Sequence, residues 1–285
     1  MEEFKITEQT IDIEGVIKSK NPGAAKAIPR FVLNYVKRLI HEDFINDFLY
    51  QNRALMGLDF VDAIIEGFGA IVKVHSEENI PKHGRVIMAA NHPLGGLDGV
   101  ALMQVVGRVR KDIIFPVNDL LMYLPNLQEL FIPINKHGSN TENIKIIQNT
   151  FESEKLMLYF PAGLVSRKQK GKIEDLEWKK TFIAKAKQYK RDVIPVFIRG
   201  NNSKRFYRIA NLRKTFKIGA NIEMLYLPDE MHKQRNKTIE IVVGKAIPFE
   251  TFDKRYNYNQ WAQKVKNYVY AMGNGYTEPF DPNKF

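Results

Sequence analysis

Residues 86–99 read Val86-Ile87-Met88-Ala89-Ala90-Asn91-His92-Pro93-Leu94-Gly95-Gly96-Leu97-Asp98-Gly99, an uninterrupted apolar run followed by a polar, glycine-rich turn. A short apolar run that ends in turn residues is typical of a strand buried on both faces of a parallel sheet. Open α/β sheets bind ligands beyond the carboxyl ends of their strands, where this turn lies. The segment therefore predicts an α/β fold with a functional site at His92.

Outward from this segment, short apolar runs alternate with helical patterns. This alternation predicts a mostly parallel central sheet flanked by helices. The expected strands are Ala70–His75, Arg85–Ala90, Asp112–Val117, Leu130–Ile134, Leu156–Phe160, Val193–Ile198, Ile222–Tyr226 and Thr238–Val243. The expected helices are Asp98–Val106, Thr141–Phe151, Trp178–Lys190 and Tyr258–Ala271.

The first 68 residues follow a different pattern. Helical spacing of apolar residues extends from Ile28 to Ile40 and from Phe44 to Leu49, and a third helix is expected from Phe60 to Phe68. We predict an N-terminal helical appendage (residues 1–68) on an α/β domain (residues 69–285), the two forming one structural unit. The basic amphipathic helix at residues 28–40 fits either core packing or a membrane interface, and the sequence leaves both open.

The composition excludes several classes of protein. Hydrophobic residues make up 44% and charged residues 26% of the 285 residues, as in ordinary globular proteins. The sequence contains no run of about 18 apolar residues, so no membrane-spanning helix is predicted. The acidic N-terminus lacks the core of a signal peptide. The absence of Cys excludes disulfides, thiolate nucleophiles and Cys-ligated metal centres. A reducing, cytoplasmic setting is therefore expected.

The positive charge is concentrated in one part of the chain. The formal net charge is +11, and residues 163–217 contain 17 Lys and Arg against 4 Asp and Glu. Such a segment attracts nucleic acid, an anionic bilayer or a phosphorylated ligand, unless it is only a solvated face. Basic residues interleaved with aromatic ones at 204–208 and 213–217 fit either nucleic acid or a bilayer.

His92 is the first candidate for acid–base chemistry, because the ordinary pKa of an imidazole suits a general base near neutrality. A carboxylate on its far nitrogen would fix the tautomer and stabilise the imidazolium. Pro93 favours an extended His92, and Gly95-Gly96 permits a sharp bend. We therefore expect Asp98 to fold back beneath the imidazole. The alternative is that Asp98 only caps the following helix.

Four segments, in order, resemble the motifs of the glycerolipid acyltransferases, typified by lysophosphatidic acid acyltransferase. They cover roughly residues 85–200. Asn91-His92 followed by Asp98 resembles the first motif, and the other three are Ile132-Pro133-Ile134-Asn135-Lys136, Phe160-Pro161-Ala162-Gly163-Leu164-Val165-Ser166-Arg167 and Ile194-Pro195-Val196.

The chain departs from the family pattern in ways that indicate a divergent branch. Five residues, not the usual four, separate His92 from Asp98. Ala162 replaces the Glu of the third motif, so whatever that carboxylate orients is missing or supplied elsewhere. Lys136 stands where Arg is usual. These differences put the identity of the acceptor headgroup in question more than the type of reaction. The segments His92–Gly99 and Phe160–Gly163 are also similar to those of a branch linked to aminolipid acylation.

The resemblance implies an O-acyltransferase of membrane phospholipid synthesis that moves a fatty acyl group from acyl-CoA or acyl-acyl carrier protein to the hydroxyl of a lysolipid. The main expected acceptor is lysophosphatidate-like, with an ornithine- or glycine-type aminolipid as the alternative. His92 would be the general base, oriented by Asp98. The implied substrate-binding residues are Asn91, Gly95, Gly96, Asn135, Lys136, Gly163, Ser166 and Arg167. No metal or other cofactor is implied.

The expected partners follow from this reaction. They are the acyl thioester donor, the lysolipid acceptor and an anionic membrane surface, with the protein peripheral or monotopic on the cytoplasmic face. Nucleic acid is not expected as a partner, although a basic nucleic-acid or anionic-surface binding module remains the non-enzyme alternative. A hydrolase with Ser166 as nucleophile is disfavoured, because no Gly-x-Ser-x-Gly turn surrounds it.

Overall fold

A seven-stranded sheet forms the centre of the computed structural model, which describes residues 11–20, 23, 28–117, 121–133, 141–219 and 221–285. The order across the sheet is β1-β9-β8-β2-β5-β3-β4, and neighbouring strands are parallel except for β8 and β9. These strands are β1 (Ile71–His75), β2 (Val86–Ala90), β3 (Ile113–Val117), β4 (Phe131–Pro133), β5 (Leu156–Tyr159), β8 (Asp192–Arg199) and β9 (Thr238–Val243). A separate hairpin pairs β6 (Arg167–Gln169) with β7 (Lys172–Glu174).

Helices cover both faces of the sheet. They are α1 (Ile13–Lys20), α2 (Arg30–Ile40), α3 (Glu42–Gln51), α4 (Gly57–Gly67), α5 (Gly96–Val109), α6 (Thr141–Glu152), α7 (Thr181–Tyr189), α8 (Lys204–Thr215), α9 (Leu227–His232) and α10 (Tyr258–Gly273). Short 3-10 helices lie at Glu77–Asn79, Leu121–Tyr123, Pro125–Leu130, Ile222–Tyr226 and Phe249–Thr251. Within the described residues, none of the helices has both the length and the hydrophobicity of a membrane span.

Strand β2 is buried on both faces, which explains its uninterrupted apolar sequence. Met88 and Ala90 face a core that includes side chains of α4 and α5, whereas Ile87 and Ala89 face a second core that includes α7 and α10. All five side chains of β2 are buried. The predicted α/β class with a mostly parallel sheet flanked by helices is confirmed.

The strand predicted at Ile222–Tyr226 is wrong, because this segment forms a 3-10 helix. Its apolar residues Ile222 and Leu225 are exposed, whereas Glu223 is completely buried. Glu223 pairs with two arginines, Arg167 and Arg213. The segment is therefore anchored by a buried carboxylate and not by a sheet ladder.

Helix α4, which lies within the predicted N-terminal appendage, packs into the main core. Phe60, Val61 and Ile64 of α4 lie in the same core as β2 and α5. Helix α2 is different, because it buries Leu39 and Ile40 at its end but leaves the side chain of Phe31 73% exposed. Helix α4 is therefore part of the core, whereas the start of α2 is exposed.

Neighbouring strands bring three of the four motif segments to one edge of the sheet. Strand β2 lies between β5 and β8, with Ile87 opposite Met157 and Met88 opposite Ile194. His92 follows the carboxyl end of β2 and Phe160 follows that of β5. The two loops that begin there meet, as expected for the carboxyl edge of a parallel sheet.

Candidate active site

His92 and Asp98 form a direct hydrogen bond. Nδ1 of His92 lies 2.9 Å from Oδ2 of Asp98, whose side chain is fully buried. The carboxylate also accepts the backbone N–H groups of Leu94, Gly95 and Gly99. An ionised carboxylate only accepts, so Nδ1 carries the proton and Nε2 is left as the acceptor. The predicted contact is confirmed, and Asp98 also holds the first turn of α5.

The bend between the two residues depends on glycine. Gly95 has φ +89°, a conformation that other residues rarely adopt. A Cβ atom on Gly95 would lie 3.1 Å from Cδ2 of Leu227, and one on Gly96 would lie 3.0 Å from Sδ of Met231. The backbone of Gly95 thus favours glycine, and the lack of a Cβ atom at both positions lets α9 pack closely against this turn.

The imidazole of His92 is held at the rim of the site. Its ring stacks on Phe160, with centroids 4.1 Å apart, and its side chain keeps 17% of its surface exposed. Burial lowers the pKa of His92, but the charge and hydrogen bond of Asp98, with the charge of Asp175, raise it more. The pKa therefore lies above the ordinary value. The arrangement can accept a proton at Nε2 and stabilise the resulting imidazolium.

Asp175 is a buried carboxylate that the sequence analysis missed. Its Oδ1 accepts the backbone N–H of His92 at 3.2 Å and the hydroxyl of Ser166 at 2.6 Å. Its Oδ2 accepts the indole N–H of Trp178 at 2.8 Å. Burial raises the pKa of Asp175, and these donors counter only part of that effect. Asp175 therefore ties the loop after β5 to the backbone of His92.

Asp175, and not residue 162, supplies the buried carboxylate near Trp178. Ala162 is buried in the same apolar core as Trp178, where an unpaired carboxylate would be unfavourable. The indole N–H of Trp178 donates to Asp175, which directly follows β7. The only sequence signal was that Asp175 belongs to a small acidic group, Glu174-Asp175-Leu176-Glu177, inside the basic segment.

Ser166 and Arg167 have protein partners where substrate contacts were predicted. The Ser166 side chain is fully buried and donates to Asp175. Arg167 is buried, donates to Oε1 of Glu223 at 2.8 Å and donates to the carbonyl of Val165. Their polar groups hold the loop together, so the geometry does not support direct substrate contacts for either residue.

The remaining predicted substrate-binding residues are in different situations. The amide of Asn91 donates to the carbonyl of Ile198 and accepts its N–H, so it joins β2 to β8. Gly163 is exposed, with φ +63°, and Nζ of Lys179 would lie 3.2 Å from a Cβ atom on it. Asn135 and Lys136 lie outside the described residues. Within the residues that are described, no group of three acidic or imidazole side chains could hold a metal ion.

The family model and the two relatives that match this chain are acyltransferases. A family model described as acyltransferase matches residues 15–276. A lyso-glycine lipid O-acyltransferase of Bacteroides thetaiotaomicron is 48% identical over 264 residues, 92% of this chain and 97% of that protein. Another from Phocaeicola vulgatus is 46% identical over 264 residues, 92% and 95% of the two chains. The crystal structure of the 1-acyl-sn-glycerophosphate (LPA) acyltransferase PlsC from Thermotoga maritima shares 18% identity, with a TM-score of 0.49 over 78% of this chain and 80% of that one.

Proposed function

The chain belongs to the acyltransferase family, and we propose that it transfers a fatty acyl group from an acyl thioester to the hydroxyl of a lyso-glycine lipid. The coarser statement, that the protein is an enzyme that acylates a lysolipid, follows from the family and the two relatives. The finer assignment of a glycine headgroup was the alternative in the sequence analysis. The relatives favour it over the lysophosphatidate-like acceptor.

The hydrogen bond between His92 and Asp98 is the observation that carries the mechanism. Nε2 of His92 takes the proton from the acceptor hydroxyl as its oxygen attacks the thioester carbonyl. The new C–O bond forms and the C–S bond breaks, and the imidazolium returns the proton to the departing thiolate. Asp98 keeps Nδ1 protonated and stabilises the imidazolium between these steps. No covalent enzyme intermediate is needed.

The two glycines of the turn have separate roles in this proposal. The N–H of Gly95 donates to Asp98, so it supports the carboxylate and not the substrate. Gly96 is exposed at the start of α5, where backbone N–H groups and the helix dipole favour negative charge. Gly96 is therefore our candidate for contact with the thioester oxyanion.

The surroundings of Arg167 support a carboxylate headgroup over a phosphate. Phosphate recognition usually depends on a free guanidinium or ammonium group. Arg167, at the end of the third motif segment, is buried and already paired with Glu223. A glycine linked through its nitrogen presents one carboxylate, which requires less positive charge than a phosphate dianion. The donor, acyl-CoA or acyl-acyl carrier protein, and an anionic membrane surface as the site of action belong to the same proposal.

An acceptor panel tests this function directly. Purified protein is assayed with acyl-CoA and with acyl-acyl carrier protein against lyso-glycine lipid, lyso-ornithine lipid and lysophosphatidate, with products identified by mass spectrometry. We expect the diacylated glycine lipid as the main product. Higher kcat/KM with lysophosphatidate would contradict the headgroup assignment. No product with any donor and acceptor pair would contradict the function itself.

Replacement of Asp175 by Asn tests its role as a positioning residue. The amide has one acceptor oxygen for donors that now occupy both carboxylate oxygens, so one buried donor loses its partner. We expect a loss of about 1–3 kcal/mol in the free energy of unfolding and a fall in kcat. Because the charge of Asp175 raises the pKa of His92, the acid limb of the kcat/KM profile should move to lower pH.

Ser166→Ala is the matched control for Asp175. It removes one donor to the carboxylate but keeps the negative charge near His92. We expect lower stability without a shift of the acid limb to lower pH, as measured by thermal unfolding and by initial rates across pH. If both variants shift the limb equally, the effect of Asp175 is structural and its charge does not act on His92.

A further inference from the structure

We propose that the protein docks on an anionic lipid bilayer through one basic and apolar surface, which we name the α8 face. The inference rests on the proposed function, because a lysolipid acceptor resides in a membrane. The α8 face consists of Phe31 and Tyr35 on α2, Arg205, Arg208, Leu212 and Phe216 on and directly after α8, and Ile222 and Leu225 on the 3-10 helix.

Helix α8 exposes a continuous row of basic and apolar side chains. Arg205, Arg208 and Leu212 follow one another at spacings of three and four residues, so they lie on one side of the helix. Phe216 continues the row just after the last helical residue. Leu212 is 56% and Phe216 71% exposed, although the opposite side of α8 already supplies the buried Phe206. Folding therefore leaves these outer apolar residues in water.

Contacts across three segments make this row part of one surface. The guanidinium of Arg205 lies over the ring of Tyr226, 5.0 Å from its centroid, and donates to the hydroxyl of Tyr35 at 2.9 Å. Phe31 lies one helical turn before Tyr35, and Leu225, beside Tyr226, is 54% exposed. The exposed apolar side chains of α2, α8 and the 3-10 helix are thus neighbours.

The charge of this surface is complementary to an anionic bilayer. Residues 201–222 contain six Lys and Arg and no Asp or Glu. Arg213 is paired inward with Glu223, and the others are exposed: Lys204, Arg205, Arg208, Lys214 and Lys217. Basic side chains draw a protein to anionic headgroups, and exposed aromatic and aliphatic side chains enter the headgroup layer. The α8 face supplies both contributions.

The burial pattern favours a bilayer over nucleic acid. Nucleic acid binding by this segment would need aromatic rings on which bases stack. Of the three aromatic residues among the basic ones, Phe206 and Tyr207 are buried and face the protein, and Phe216 is exposed. The exposed residues include the aliphatic Leu212, Ile222 and Leu225, which suit a lipid phase.

The α8 face is connected to the catalytic turn. Glu223, between Ile222 and Leu225, pairs with Arg167 at the start of β6. Leu227 and Met231 follow directly and pack against Gly95 and Gly96. A bilayer against this face would therefore lie beside the segment that covers the start of α5.

Vesicle binding in the absence of donor and acceptor tests the surface separately from the reaction. The probes are vesicles of phosphatidylglycerol mixed with phosphatidylcholine and vesicles of phosphatidylcholine alone, measured by co-sedimentation. We expect Arg208→Gln/Lys217→Gln to weaken binding to the anionic vesicles by about tenfold, and Leu212→Ser/Phe216→Ser to weaken it likewise. The matched controls Lys111→Gln/Lys254→Gln and Ile146→Ser/Tyr258→Ser, exposed positions elsewhere, should bind like the wild type.

A fluorescence reporter provides a second test that does not depend on a loss of vesicle binding. Trp178 and Trp261 are both fully buried, so their emission should not respond to lipid. Phe216→Trp adds an indole to the α8 face, and we expect a blue shift of its emission and quenching by brominated lipid when anionic vesicles are added. Tyr258→Trp should show neither change.

These outcomes separate the docking surface from the proposed function. Vesicle binding that depends on the α8 face supports the surface even if the acceptor panel shows no product. Unchanged binding of both α8 variants, or no response from the Phe216→Trp indole, would overturn it. Loss of RNA binding in the α8 variants with vesicle binding intact would also overturn it and would favour a nucleic-acid module.

Discussion

Replacement of His92 by Ala should lower kcat for acyl transfer by about 10²- to 10⁴-fold, the usual contribution of a general base. The hydroxyl of the acceptor then loses the group that removes its proton, whereas Asp98 keeps its three backbone donors. The turn should therefore remain folded. Initial rates with lyso-glycine lipid, together with thermal unfolding, measure both parts of this prediction.

His83→Ala is the matched control, because His83 is exposed in the loop before β2. We expect wild-type rates from it. Wild-type activity in a folded His92→Ala variant would remove His92 as the base and the proposed mechanism with it.

The same base determines the pH dependence of the wild-type enzyme. Only the neutral imidazole can accept a proton, so kcat/KM should rise with pH as His92 loses its proton. The pKa of His92 is raised by Asp98 and Asp175 against the effect of burial. The midpoint of the acid limb should therefore lie above about 6.5, the ordinary histidine value. A midpoint below that value would contradict the arrangement around the ring.

Replacement of Asp98 by Asn should reduce kcat by a similar amount, about 10²- to 10⁴-fold. The amide oxygen should take the Oδ2 position, which accepts the N–H groups of Leu94 and Gly95 as well as Nδ1–H, so the loss comes from the missing negative charge that stabilises the imidazolium. Loss of the carboxylate charge should also move the acid limb of the remaining activity to lower pH, because Asp98 raises the pKa of His92. Rates across pH measure both effects.

The double variant distinguishes a functional pair from two separate contributions. If Asp98 acts only through His92, then Asp98→Asn should cost little further activity in a His92→Ala background. Asp62→Asn, at a position on α4 away from the turn, controls for loss of a carboxylate. Additive losses in the double variant would show that Asp98 supports catalysis by another route, such as the stability of α5.

The sheet and the contact between His92 and Asp98 were predictable because their determinants are local. Five consecutive apolar residues identified β2 as a strand buried on both faces, and the structure buries all five. Pro93 and Gly95 lie between His92 and Asp98, so the bend that joins them is encoded within one turn. Such signals depend on neighbours in the chain and need no knowledge of distant packing.

The roles of Ser166 and Arg167 were not predictable, because their partners are far away in the chain. Glu223 lies 56 residues from Arg167 and completes its ion pair. The motif alone suggested that both side chains would face substrate. Both side chains are buried instead, and each has a partner within the protein because a polar group removed from water needs one.

Sequence alone therefore determined the α/β class, the position of the site at the end of β2 and the pairing of His92 with Asp98. Tertiary structure decided the rest. Asp175, 83 residues away, accepts the backbone N–H of His92. The segment Ile222–Tyr226 forms a 3-10 helix that exposes Ile222 and Leu225 and buries Glu223. The physical reason is that a strand or a tight turn is specified by adjacent residues. A buried carboxylate instead finds its donors only when distant segments pack together.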